Sequence, residues 1–180
     1  MQYLAVGVRC LIGVVFLISF LTKVVRRNAV EDLVRSLREL RLLPTNGVRA
    51  TALLITAAEG GIAVLLATPS SAVATLGLGA AALLLTVFAV GIGMTVRRGA
   101  TAVCACFGTS TVPLGLRHIV RNSVLAGIAV AGIAASGSAS ATAWGPAVVA
   151  ALSGLLTGVL FTRLDDLLAL FSLPALPPTR

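Results

Sequence analysis

AVATLGLGAAALLLTVFAVGIGMTV, residues 72–96, runs for twenty-five residues without a charged side chain. As an α-helix it would be about 37 Å long, enough to cross the ~30 Å hydrocarbon layer of a bilayer with some tilt. No soluble helix needs so long an unbroken apolar run, so this stretch decides the class of the protein. Comparable runs lie on both sides of it. Residues 3–25 form the first, with Arg9 near its start. Residues 48–68, 119–135 and 143–161 form three more, and the run at 119–135 carries Arg121 and Asn122 in its first turn. The sequence therefore predicts an all-α, polytopic membrane bundle of five transmembrane helices.

Composition agrees. Of 180 residues, 58% are hydrophobic and 11% charged, and the mean hydropathy is +1.04. A soluble domain carries about 25% charged residues. The length suits one bundle, residues 1–163, followed by a C-terminal tail at 164–180 that is Pro-rich from Pro174 on. The net charge of +8 does not point to nucleic acid. The basic residues cluster between apolar runs, as membrane topology produces, and no nucleic-acid-binding motif accompanies them. The first run resembles a signal peptide, but Lys23, Arg26 and Arg27 follow it where small residues would mark a cleavage site. It reads as a retained helix.

Between the first two runs, residues 28–43 place Val30, Leu33, Val34, Leu37 and Leu40 at helical spacing. Glu31, Asp32, Arg35, Arg38, Glu39 and Arg41 occupy the other face. This pattern predicts an amphipathic helix in the membrane interface, ended by Pro44.

Thirteen of the fourteen basic residues fall on one face of this topology, and Arg9 alone falls on the other. The positive-inside rule then puts the N-terminus outside, the C-terminus in the cytoplasm and the protein in a bacterial inner membrane. The loop between the third and fourth spans would be cytoplasmic.

That loop holds Cys104-Ala105-Cys106-Phe107-Gly108. Two thiols two residues apart can form a disulfide, bind a soft metal or simply pack. Extended chain would leave their Cα atoms about 6.5–7 Å apart, at the limit for a disulfide, and a turn would shorten this. A small strained ring would be labile, as exchanging disulfides are. Arg97, Arg98 and Arg117 could stabilise a thiolate. His118, the single histidine, could accept a thiol proton or join both cysteines around Cu(I), or serve as an interfacial residue at a helix start. Zn²⁺ normally takes four protein ligands in a structural site, which this chain does not offer nearby. Cys10, in the outer half of the first helix, reads as a packing residue.

Glu59 lies ten residues past Arg49, about 15 Å into the bilayer. An acid at that depth is costly and is a functional candidate by default. It could be protonated, paired with Arg121 or Asn122, part of a proton path, in contact with a quinone, or a polar clamp between helices. Gly60 and Gly61 beside it would let helices approach closely.

These residues together resemble the MauE family, which groups with the DoxX-like membrane proteins. The pattern begins with Phe16 and Lys23 and continues through Leu43-Pro44, Glu59, Phe88 and Arg97-Arg98-Gly99. It closes with Cys104-x-Cys106-Phe107-Gly108 and Arg121-Asn122. The last two motifs are the specific part. The chain departs from the family in Ala105, often Gly, and in Phe20-Leu21-Thr22, where Gly is frequent. The resemblance implies a four-helix DoxX-like core with a fifth helix appended. It also implies a membrane redox protein that assists disulfide formation or maturation of a partner, together with a thioredoxin-like protein. Cys104 and Cys106 would exchange with that protein or with a cysteine-bearing client. Glu59, Arg117, His118, Arg121, Asn122 and Lys23 would support them, with room for a quinone and no metal. A cytoplasmic Cys104–Cys106 loop conflicts with disulfide formation for exported proteins, which happens outside. The uncharged stretch from Thr101 to Leu116 favours a loop that dips into the membrane. Two other functions stay open, a non-enzymatic assembly factor with structural cysteines and a Cu(I)-handling protein.

Overall fold

A computed structural model describes residues 2–26, 28–39, 47–98, 116–136 and 143–171, with residues 39 and 164–171 as backbone only. Cys104, Cys106 and the expected re-entrant loop lie outside these residues. Six helices follow in order: α1 (Gln2–Val25), α2 (Ala29–Glu39), α3 (Val48–Ala67), α4 (Ser71–Arg97), α5 (Leu116–Ala135) and α6 (Trp144–Phe171). All but α2 are long and apolar enough to cross a membrane.

The ends of these helices have local causes. Between α3 and α4, Pro69-Ser70 breaks the run, and Ser70 takes extended backbone as the N-cap of α4. Helix α5 begins three residues before the apolar run, because Leu116-Arg117-His118 propagates a helix as readily as the run itself. Helix α6 continues ten residues past Phe161, since no glycine or proline interrupts residues 159–173.

Helices α1, α3, α4 and α5 form a closed ring, each packed on the next, and α6 packs outside it on α1 alone among the described residues. The ring encloses Ile12, Val15 and Phe16 of α1, Leu66 of α3, Leu85 of α4 and Leu125 of α5. Leu53, Leu54, Leu83, Val87 and Leu156 point outward and are exposed. Contiguous apolar surface of this extent is what lipid requires and water penalises. The protein is a multi-pass membrane protein.

Without a hydrophobic drive between helices in lipid, α6 holds to α1 through close backbone contact. Gly154 and Gly158, one turn apart, provide it. A Cβ at Gly154 would fall on the carbonyl of Gly7, and one at Gly158 would lie 2.8 Å from the carbonyl oxygen of Leu11.

The amphipathic helix α2 does more than lie in the headgroup layer. Its Leu33 is fully buried against Ala52 of α3 and Phe88 and Ile92 of α4, with Val34 and Leu37 beside it. Leu33→Ala is expected to destabilise the protein by about 2–5 kcal/mol, the usual cost of truncating a buried leucine. Thermal unfolding in detergent measures this. A loss below about 1 kcal/mol would mean that α2 rests on lipid instead.

Candidate functional site

Helix α1 turns one stripe inward: Ile12, Phe16, Ser19 and Lys23, at spacings of four, three and four. Its last two members are polar, and both are buried. Lys23 is 3% exposed although it lies two residues from the end of its helix. A lysine so placed would ordinarily snorkel to the interface. Here it reaches into the bundle, and the reason is Glu59 on α3, which is 0% exposed.

The two side chains form a bidentate ion pair. Lys23 Nζ donates to both Oε1 and Oε2 of Glu59 at 2.7 Å. It also donates to Ser19 Oγ at 2.9 Å, and Ser19 Oγ donates to Glu59 Oε1 at 3.1 Å. The result is a closed triangle across two helices. Burying a carboxylate alone would cost several kcal/mol, and the ammonium offsets it only because the geometry is close and the hydroxyl shares the load. Phe20 lies over Gly60, whose hypothetical Cβ would come within 2.9 Å of the ring, so the approach of α1 to α3 at this level needs that glycine. Gly61 has open space beside it and plays no such part.

The opening turns of α5 bury two further polar side chains, Arg121 and Asn122, at 7% and 3% exposure. The Oδ1 atom of Asn122 has no hydrogen-bond partner among the described residues. Thr95 of α4 and Thr56 of α3 are buried too, but their hydroxyls bond back to the carbonyls of Gly91 and Ala52 in their own helices. The interior half nearest the end of α1 therefore holds two cations, one carboxylate and an acceptor awaiting a donor. Arg117 is exposed and His118 half-buried at the start of α5.

This arrangement can hold charge in a low dielectric, orient a polar group and pass a proton between Glu59, Ser19 and Lys23. Among the described residues no three of His, Cys, Asp and Glu come together as a metal site. Cys10 is half-buried on α1, thirteen residues or about 20 Å from Lys23 along the helix.

Two readings are refined. Of the roles left open for Glu59, pairing with Arg121 or Asn122 gives way to an ion pair with Lys23. Lys23 and Arg121 were counted among basic residues on one membrane face, yet both are buried in the bundle. Ser19 was not singled out. Its signal was present, since it stands four residues before Lys23 on the inward stripe of an otherwise apolar helix.

The cysteine segment, residues 99–115, lies outside the described residues. It joins Arg98, at the end of α4, to Leu116, at the start of α5. Helices α1 and α4 run in the same direction, so Arg98, Leu116 and Lys23 share one end of the bundle. Arg9 marks the other end, donating to the carbonyls of Leu66 and Thr68 where α3 finishes.

Comparison with known proteins supplies the family. Residues 1–135 match the family described as "Methylamine utilisation protein MauE". The methylamine utilization protein MauE of Paracoccus denitrificans is 32% identical over 156 residues, covering 83% of this chain and 81% of that protein. No solved structure matches. The matched region contains the whole four-helix ring, the Lys23–Glu59 pair, Arg121-Asn122 and both cysteines of the C-x-C motif. The chain is a multi-pass membrane protein belonging to the MauE family.

Proposed function

We propose that this protein is an integral-membrane thiol–disulfide redox protein, or a redox accessory, acting through Cys104 and Cys106 during maturation of a partner. The observation that carries this reading is the buried Lys23–Glu59 pair, with Arg121 and Asn122, at the end of the bundle from which the cysteine segment is strung. Structural cysteines alone would not call for an investment of buried charge in the adjoining half of the membrane, where each such group is costly.

Exchange would run by two displacements. A thiolate of the partner attacks one sulfur of a Cys104–Cys106 disulfide, forming a mixed disulfide and releasing the other cysteine as a thiolate. The partner's second thiolate then attacks the mixed disulfide. The partner leaves oxidised, and Cys104 and Cys106 are left as the reduced pair. A thioredoxin-like protein carrying a disulfide would reoxidise them by the same steps reversed. An arginine, Arg97, Arg98 or Arg117, would stabilise the departing thiolate.

The relative's name places it in methylamine utilisation, and we take the maturation of an enzyme of that process as the setting. With Lys23 and Arg121 removed from the loop tally, Arg9 is still the only basic residue on its face. The orientation therefore keeps the N-terminus outside and the C-terminus cytoplasmic, in a bacterial inner membrane.

Alkylation mass shifts in intact membranes test the proposal. The wild type is expected to show two thiols that appear only after dithiothreitol, and Cys104→Ser or Cys106→Ser to abolish the reducible species. Two permanently free thiols under oxidising conditions would sink the redox reading. A scaffold would then be supported if serine at both positions left the partner's maturation intact. Copper bound to the reduced protein and lost in both serine variants would support the Cu(I) reading.

A further inference from the structure

The opposite end of the bundle carries a cavity that the redox reading does not use. Its volume is about 360 Å³, within the range of small-ligand sites. Gln2, Arg9, Ser71 and Ser136 line it with polar groups, and Ala74 and Leu78 lie in its apolar wall. It opens where α1, α4 and α5 meet near one membrane surface.

Arg9 is the decisive member. Its Nε donates to Leu66 O at 2.6 Å and its Nη2 donates to Thr68 O. Those carbonyls belong to the last turn of α3, where a helix leaves acceptors unsatisfied. The guanidinium is thus fixed in place by two backbone groups, and the two N–H groups of Nη1 remain for a further acceptor. The contacts are neutral, so the charge itself is not matched.

Among the described residues no carboxylate is paired with Arg9. Of the six acidic residues, Glu31, Asp32 and Glu39 belong to α2, at the far end, and Glu59 is committed to Lys23. Asp165 and Asp166 lie about 30 Å along α6 from Trp144, which starts at this end. A fixed arginine in a cavity, without a carboxylate on its face of the membrane, is a receptor for an external anion. Arginine recognises phosphate by charge and by paired N–H donors.

We infer that this cavity binds a phosphate group, carried by the headgroup of an anionic phospholipid or free in solution. The apolar wall at Ala74 and Leu78 and the position at the membrane surface fit a lipid, whose glycerol backbone would lie against it. A zwitterionic lipid fits less well, because its quaternary ammonium would sit beside a guanidinium with no carboxylate to receive it.

The test uses the full-length protein, delipidated in detergent, with phosphatidylglycerol, phosphatidylcholine or inorganic phosphate as probes. Native mass spectrometry counts retained lipid, and unfolding midpoints report stabilisation. The wild type is expected to retain one phosphatidylglycerol at least tenfold more tightly than phosphatidylcholine. Ser71→Glu places a carboxylate in the cavity from an exposed position and should abolish that preference without lowering the lipid-free midpoint. Arg9→Gln should abolish it too, with some loss of stability from the α3 end. A midpoint raised by millimolar phosphate in the wild type, but not in Ser71→Glu, would identify the free anion as the ligand. Equal retention of phosphatidylglycerol by all three proteins, or no response to any probe, would overturn the inference.

Discussion

Lys23→Ala is expected to destabilise the folded protein by about 3–5 kcal/mol, the usual cost of removing one partner from a buried ion pair. The substitution removes an ammonium that donates to both oxygens of a fully buried carboxylate. Glu59 would then keep only Ser19 as a donor among its present partners. Glu59→Ala should cost a similar amount for the opposite reason, leaving the buried Lys23 ammonium without its carboxylate. The double variant Lys23→Met with Glu59→Met should be far milder than the sum, because apolar residues of similar volume replace a buried pair at little or no cost. Reversible unfolding in mixed micelles measures the three, and a double-mutant cycle isolates the coupling. Single variants within about 1 kcal/mol of the wild type would show that the pair is not a structural clamp. The same variants separate clamp from chemistry. If the double variant folds normally yet loses thiol exchange at Cys104 and Cys106, the pair serves the reaction as well as the fold.

Gly154→Leu is expected to release α6 from the bundle. The first atom of any side chain there would overlap the backbone carbonyl of Gly7, and a backbone group within α1 cannot rotate away. Overpacking a well-packed contact typically costs about 1–3 kcal/mol, and a leucine adds three further carbons to the clash. Because α6 touches only α1 among the described residues, the whole loss falls on that one seam. The ring of α1, α3, α4 and α5 should survive, since none of its other contacts pass through α6. A cysteine pair introduced across the α1–α6 seam should crosslink in the wild type and fail to do so in Gly154→Leu. Gly158→Leu should act alike, through the carbonyl of Leu11. Undiminished crosslinking in both variants would place the contact elsewhere.

The candidate site was legible in parts. Glu59 stood out because a carboxylate ten residues inside an apolar run has no ordinary reason to be there. Arg121 and Asn122 stood out through their place in the family pattern. Lys23 was visible only through that pattern, because three basic residues at 23, 26 and 27 look alike at the end of an apolar run. One of them is buried and one, Arg26, is exposed. Inward direction on a helix depends on where the neighbouring helices stand, and hydropathy does not encode it.

The count of membrane spans, the amphipathic face of α2 and the break at Pro69-Ser70 follow from the sequence by itself. They are local properties: each depends on residues within a few turns of one another, and the bilayer imposes the same length on every span. The Lys23–Glu59–Ser19 triangle, the burial of Leu33 under the ring, the α1–α6 seam at Gly154 and the Arg9 cavity were decided by the tertiary structure. Each joins residues far apart in the chain, thirty-six positions in the case of the ion pair. Periodicity says which residues share a face of one helix, but only the packing of helix against helix selects which faces meet.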